Sequence, residues 1–226
     1  MKKTISIILC LSVFLVGGIF ATSAYKDSQI KKIHSITNSI PENFNKLPVN
    51  EICNQYSFDP YDLEKMVGCY DYMFVAYVDN CIGTYYENAR YTESGRLVAS
   101  PFTKYEIKVI KNIKGELKTD SSLPISMYGG LNIDKKSVTM VTNTSFPIVG
   151  NYYLILAYTN IDGELFIGEP NCCLLLNDIT ESDFEKFSEN IFTGDIEKYV
   201  EAYKNQDTSV KIGTSYKSLY DISKSK

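Results

Sequence analysis

From residue 70 to residue 176 apolar and polar positions alternate with the two-residue period of β-strands. In YDYMFVAYVDN, Tyr72, Phe74, Ala76 and Val78 fall on one face; Asp71, Met73, Val75, Tyr77 and Asp79 form a mixed second face. FTKYEIKVIKNIKGEL alternates more cleanly, with Tyr105, Ile107 and Val109 opposite Lys104, Glu106 and Lys108. LPISMYGGL, SVTMVTN, NYYLILAYTN and ELFIGEPNCCLLL follow, separated by Gly, Asn and Asp turn residues. The span 83–100 reads as a long hairpin connection with Gly95 at its tip. Short strands in succession, with no helices between them, predict a small all-β sandwich or barrel.

The period changes on either side of this region. In FDPYDLEKMVGC, Asp59 suits an N-cap, Pro60 the first helical position and Gly68 the C-terminal cap. These signals predict a helix over 60–67, with Cys53 and Cys69 near its ends. Beyond residue 181, Ser182 and Glu185 form a capping box. Phe184, Phe187 and Ile191, then Ile196, Tyr199, Val200 and Tyr203 after a break at Gly194, recur at helical spacing. Such an amphipathic segment packs its apolar face on the barrel. The expected organisation is an extension or linker over 25–58, a barrel domain with its leading helix over 59–180, a helical segment over 181–205 and a polar tail over 206–226.

The first 24 residues are set apart from the fold. Lys2 and Lys3 precede an apolar run from Ile5 to Phe20, and Thr22, Ser23 and Ala24 supply a small-residue site for cleavage before Tyr25. This is the layout of a secretory signal peptide, which predicts a secreted or cell-surface protein. The alternative is a protein anchored in a membrane by an uncleaved segment, residues 5–21. Cleavage removes two lysines and no acids, so the net charge moves from -4 to -6. An acidic exported chain is poorly suited to nucleic acid, whose affinity rests on cationic contacts to phosphate. Tyrosine occurs 18 times, tryptophan is absent, and Arg90 and Arg96 are the only arginines, a bias that fits an AT-rich bacterial genome.

Candidate chemistry is sparse. The sole histidine, His34, lies in the extension, which leaves no sequence signal for Ser–His or Cys–His catalysis. Asp71, Asp79, Glu87 and Glu106 lie on or beside strands, but nothing pairs two of them as a glycosidase requires. Lys104, Lys108, Lys111, Lys114 and Lys118 do not keep one strand phase and read as edge protection. Asn143-Thr144-Ser145 is a glycosylation sequon. Cys53, Cys69, Cys81, Cys172 and Cys173 remain after cleavage, and no CxxC spacing of the kind that marks zinc sites occurs among them. In an exported chain they read as disulfide candidates, with one left over. Vicinal Cys172 and Cys173 point to opposite strand faces and do not suit a mutual bridge.

The order CYDYMFVAYVDN, SPFTKYEIKVIKNIKGEL, a Gly-Gly turn, VGNYYLILAY and GELFIGEPNCC resembles a known family. It is similar to the oligonucleotide/oligosaccharide-binding (OB) fold domains of the tissue-inhibitor-of-metalloproteinases and netrin type found in exported bacterial proteins. The resemblance covers roughly residues 69–176. It implies a mainly β chain, a five- or six-stranded OB-fold-like barrel with a short N-terminal helix and a C-terminal helical segment. In the inhibitors of that family a cysteine at the mature N-terminus chelates the zinc of a target protease. The nearest counterparts, Cys69 and Cys53, lie well inside the chain, so that mechanism requires a second cleavage. A staple from Cys69 to Cys172 or Cys173 would join the two ends of the barrel region.

The expected function is therefore a non-enzymatic extracellular module that binds a protein or cell-envelope component. It needs no cofactor, no catalytic residue and no metal, and touches a membrane only if its N-terminal segment stays uncleaved. The alternatives are an exported hydrolase built on a carboxylate pair, and a protease-inhibitor-like protein.

Overall fold

The computed structural model describes residues 22–35, 37–42, 44–56, 58–177, 179, 181–192, 194–209 and 216–223. Residues 1–21, which carry most of the expected export signal, lie outside the described residues. Among the described residues no helix is long and apolar enough to cross a membrane.

The alternating region folds into a closed barrel. Strands β2 (Tyr72–Tyr91), β3 (Leu97–Lys114), β4 (Ser122–Tyr128), β8 (Leu165–Ile167) and β7 (Tyr152–Thr159) form a ring that closes where β7 pairs with β2. All neighbours in the ring are antiparallel except β4 and β8, which run parallel. This five-stranded Greek-key closure is OB-fold-like architecture. A sixth strand, β9 (Cys173–Leu176), pairs with Tyr152–Ile155 of β7 along the edge that β8 takes at Ala157–Thr159. Between β4 and β7 lie β5 (Gly130–Leu131) and β6 (Val138–Val141), and β1 (Val49–Ile52) pairs parallel with β6 to complete a small second sheet.

Odd-numbered residues of β3 and β4 fill the interior: Tyr105, Ile107 and Val109 meet Leu123, Ile125 and Met127. Phe74 and Ala76 of β2 join them, and Met73 and Val75 on its other face are equally buried. The mixed second face seen in the sequence is thus a second interior face. It belongs to a core that extends to Met66 and Val67 of α2 (Leu63–Cys69), Phe187 of α3 (Glu181–Ser188) and Ile196, Tyr199 and Ala202 of α4 (Gly194–Lys204).

Several local expectations are corrected. The span 83–100 is mostly strand: β2 and β3 form one long ribbon that turns at 92–96, where Thr92 N–H donates to Arg96 O and Gly95 N–H to Thr92 O. Register shifts along the ribbon, including one between Cys81 and Gly83, absorb the residues that read as loop. The leading helix begins three residues later than expected. Asp59 and Pro60 make a turn in which Asp59 Oδ1 accepts from Tyr61 N–H, and Asp62 becomes the N-cap by accepting from Lys65 N–H at 3.2 Å. Gly68 lies inside α2 and ends nothing; a Cβ there would fall 1.9 Å from Asp207 O, so the glycine admits the chain that follows α4. The capping box shifts too, since α3 starts at Glu181, before Ser182.

The stretch that reads as a linker holds most of helix α1 (residues 22–34 among those described), an Asn38–Thr84 bridge, a short 3-10 turn (Phe44–Lys46) and β1. The polar tail also has a docked part. Lys118 N–H donates to Tyr220 O, Ile222 N–H to Glu116 O and Leu219 N–H to Gly163 O. Tyr72 OH donates to Asp221 Oδ2 at 2.8 Å and accepts from the buried Ser218 N–H at 2.9 Å. Tyr72→Phe leaves that N–H without a partner, at a cost of about 1–3 kcal/mol. The expected result is faster amide exchange over 216–223 with the barrel strands still protected, measured by hydrogen exchange.

An aromatic cleft around Glu169

The period that fills the barrel also arrays rings on its outside. Thr84, Thr103, Met127 and Leu165 fill the interior, so their neighbours Tyr85, Phe102, Tyr128 and Phe166 point away from it, Phe166 being itself buried. Tyr85 and Phe102 are register partners and stack at 5.6 Å. Phe102 meets Tyr128 at 5.1 Å and Phe166 at 5.8 Å, both edge-on. Phe166 and its register partner Tyr158 stack at 5.6 Å, and Tyr158 leads to Tyr70 at 6.4 Å. One aromatic surface therefore crosses all five barrel strands.

At one end of this surface the chain between β1 and α2 raises a second wall, where Tyr56 and Phe58 lie 6.3 Å apart. The walls flank an open cleft of about 470 Å³ lined by Phe102, Tyr128, Tyr158, Tyr70, Tyr56 and Phe58, with Asn54, Gln55 and Ile167. That volume lies within the usual range for small-molecule sites.

Glu169, just past the end of β8, is the one charged residue among the described residues of the lining. Tyr70 fixes its backbone: the phenol donates to Glu169 O at 2.8 Å and accepts from Glu169 N–H at 3.1 Å. Asn54 Nδ2 donates to Glu169 Oε2 at 2.7 Å. Oε1 is buried and has no hydrogen-bond partner among the described residues. Burial pushes the carboxyl from 4.5 up to about 7, and the Asn54 hydrogen bond only partly opposes this. The surrounding phenols are raised as well. Tyr56 and Tyr158 are each pushed to about 12, first by burial and next by the Glu169 charge, and Tyr128 is raised for the same reasons. They remain neutral donors and acceptors at physiological pH, and Glu169 is the group in the cleft poised to change charge.

Glu169 was not singled out by the sequence. The available signal was a lone acid inside the apolar run LFIGEPNCCLLL. The acids that were considered do not converge there. Asp79 Oδ2 accepts from the Ser122 hydroxyl, Glu106 Oε2 accepts from Asn80 Nδ2, and Asp71 precedes β2. Glu87 is raised by burial and then by Glu164, and its charge is also felt by Tyr158 and Tyr85.

No disulfide joins the described cysteines, so the expected staple from Cys69 to Cys172 or Cys173 is not formed in this structure. Cys53 is exposed, Cys81 and Cys173 are half-buried, and Cys69 and Cys172 are buried. Both members of the vicinal pair line one groove beside α2. Cys172 donates to Pro170 O at 3.2 Å, while Cys173 heads β9 and pairs with Ile155 of β7. Burial raises the Cys172 thiol strongly and pushes Cys173 up to about 12, which suppresses thiolate reactivity in both. His34 accepts from Ala89 N–H through Nε2 at 3.2 Å. Lys114 leaves the lysine series altogether: its ammonium donates to Val67 O at the end of α2 and to Gln206 Oε1 beyond α4. Asn143 of the sequon contacts the Tyr61 hydroxyl at 3.4 Å. Among the described residues no group of three or more His, Cys, Asp or Glu side chains is placed to hold a metal ion.

Fold and site together define a class: an OB-fold-like barrel with a ring-walled cleft and one buried carboxyl at its margin. Comparison with protein-family models and with curated protein sequences finds no match for this chain.

Proposed function

We propose that this protein is an exported, non-enzymatic binding module that takes an extracellular or cell-envelope component into the aromatic cleft. The observation that carries the reading is the cleft itself, with six aromatic side chains lining about 470 Å³ on the outer surface of a closed barrel. The half-buried rings of Phe102, Tyr128 and Tyr158, presented together on rigid strands, supply contact area at little entropic cost, as binding surfaces do. The basic, apolar and small-residue order of the first 24 residues supports export.

Co-sedimentation of the purified protein with insoluble envelope material from its source cells tests this reading. The protein is expected to pellet with the envelope. Tyr128→Ala and Phe58→Ala, which open the two walls of the cleft, are expected to weaken retention by about tenfold or more, each such factor corresponding to about 1.4 kcal/mol. Tyr61→Ala, an exposed tyrosine outside the cleft, is the control and should pellet like the unmodified protein. Full retention by both folded cleft variants, with fold checked by circular dichroism, contradicts the reading.

A further inference from the structure

We infer that the ligand of this cleft is an organic cation, an alkylated ammonium group whose charge is balanced by Glu169 and whose substituents pack against the rings. The inference rests on the binding reading above and adds the chemical class of ligand.

Three observations support it. Among the described residues the lining contains a carboxyl and no lysine, arginine or histidine to neutralise Glu169. Among the described residues the side-chain contact to that carboxyl is one hydrogen bond, from the amide of the exposed Asn54 to Oε2. Finally, Tyr56, Tyr128 and Tyr158 line the cleft together with Glu169 and all feel its charge. Ring faces attract a desolvated cation, and aromatic enclosures are the recurrent receptors for quaternary ammonium groups. The same lining opposes a phosphate or nucleic-acid ligand, which needs cationic contacts. In the complex the cation approaches Oε2, displacing the Asn54 amide, because Oε1 is shielded from solvent.

The charge logic gives a pH signature. The groups facing Glu169 are Asn54 and Tyr56 from the β1–α2 connection, Tyr70 after α2, Tyr128 of β4, Tyr158 of β7 and Cys172 before β9. Every phenol and thiol in that set is raised by burial and stays neutral near pH 7, leaving Glu169 as the group that titrates. A cation binds the ionised form, so affinity rises with pH up to about 7 and then levels, and binding below that point expels a proton.

The experiment is calorimetric titration of the full protein with choline and with its neutral isostere 3,3-dimethyl-1-butanol, at pH 6 and pH 8. Choline is expected to bind about tenfold or more tightly than the isostere at pH 8, with the preference shrinking at pH 6. Glu169→Gln is expected to cut the preference for choline and remove its pH dependence, and Tyr56→Leu to weaken choline in a protein that keeps the carboxyl. Equal affinity for choline and isostere overturns the inference. So does the absence of choline binding while Tyr128→Ala still loses envelope retention, and in that case the cleft remains the binding site for another ligand. If choline fails and the cleft variants keep full retention, the binding reading falls too.

Discussion

Glu169→Gln is expected to make the fold more stable at pH 8, by up to about 3 kcal/mol, and to leave it unchanged near pH 4. The sign follows from the direction of the shift. Burial raises the carboxyl from 4.5 in the open chain to about 7 in the fold, so between those values the native state holds a proton that the unfolded state has lost. Stability therefore falls as pH climbs through this window and is level above it. Glutamine keeps the size and an acceptor for Asn54, and has no charge to desolvate. Urea unfolding at pH 4, 6 and 8 checks this: the two proteins should diverge as pH rises. A constant difference across the range would show that Glu169 ionises without penalty. A gain in stability from losing a side chain also marks that side chain as retained for something other than folding.

Gly168→Ala is expected to be costly in the opposite sense. A Cβ at this position would lie 2.3 Å from Tyr70 Cε1, 2.4 Å from Cζ and 2.8 Å from the phenol oxygen. Tyr70 is only 2 % exposed, so its ring has no room to retreat. Overpacking of this kind costs about 1–3 kcal/mol, and here the displaced ring also gives up both hydrogen bonds to the Glu169 backbone. The expected outcome is a lower urea midpoint together with loss of ligand retention. Tyr70→Phe separates the two effects, because it keeps the ring in place and removes only the hydroxyl that holds Glu169. A Gly168→Ala protein with unchanged stability would mean that the approach of strand end to ring is looser than the structure shows.

The sequence carried the barrel because its signal is local. Tyr105, Ile107 and Val109 alternate with Lys104, Glu106 and Lys108, and that period alone assigns inside and outside. Where two interior faces meet one strand, as at Met73 to Val75, the pattern blurs. Where bulges interrupt a ribbon, as between Cys81 and Gly83, strand reads as loop. Gly68 was misread for a related reason: what it accommodates is Asp207, which lies far along the chain. The cleft was hidden for the same physical reason. Tyr56, Phe102, Tyr128, Tyr158 and Glu169 come from separate strands and connections, and only ring closure brings them to one surface. The Cys172–Cys173 pair drew attention in the sequence, yet the carboxyl three residues earlier is the group that burial has made responsive near neutral pH.

The most direct measurement is a ¹³C-tyrosine NMR spectrum of the protein with soluble envelope fragments added stepwise. The binding account predicts that the ring signals of Tyr56, Tyr70, Tyr128 and Tyr158 shift together and saturate, with those of Tyr61 and Tyr199 unmoved. Saturating shifts at Tyr61 and Tyr199, on the separate groove beside α2 and Cys172, with the cleft tyrosines unchanged, would place binding elsewhere and contradict the account.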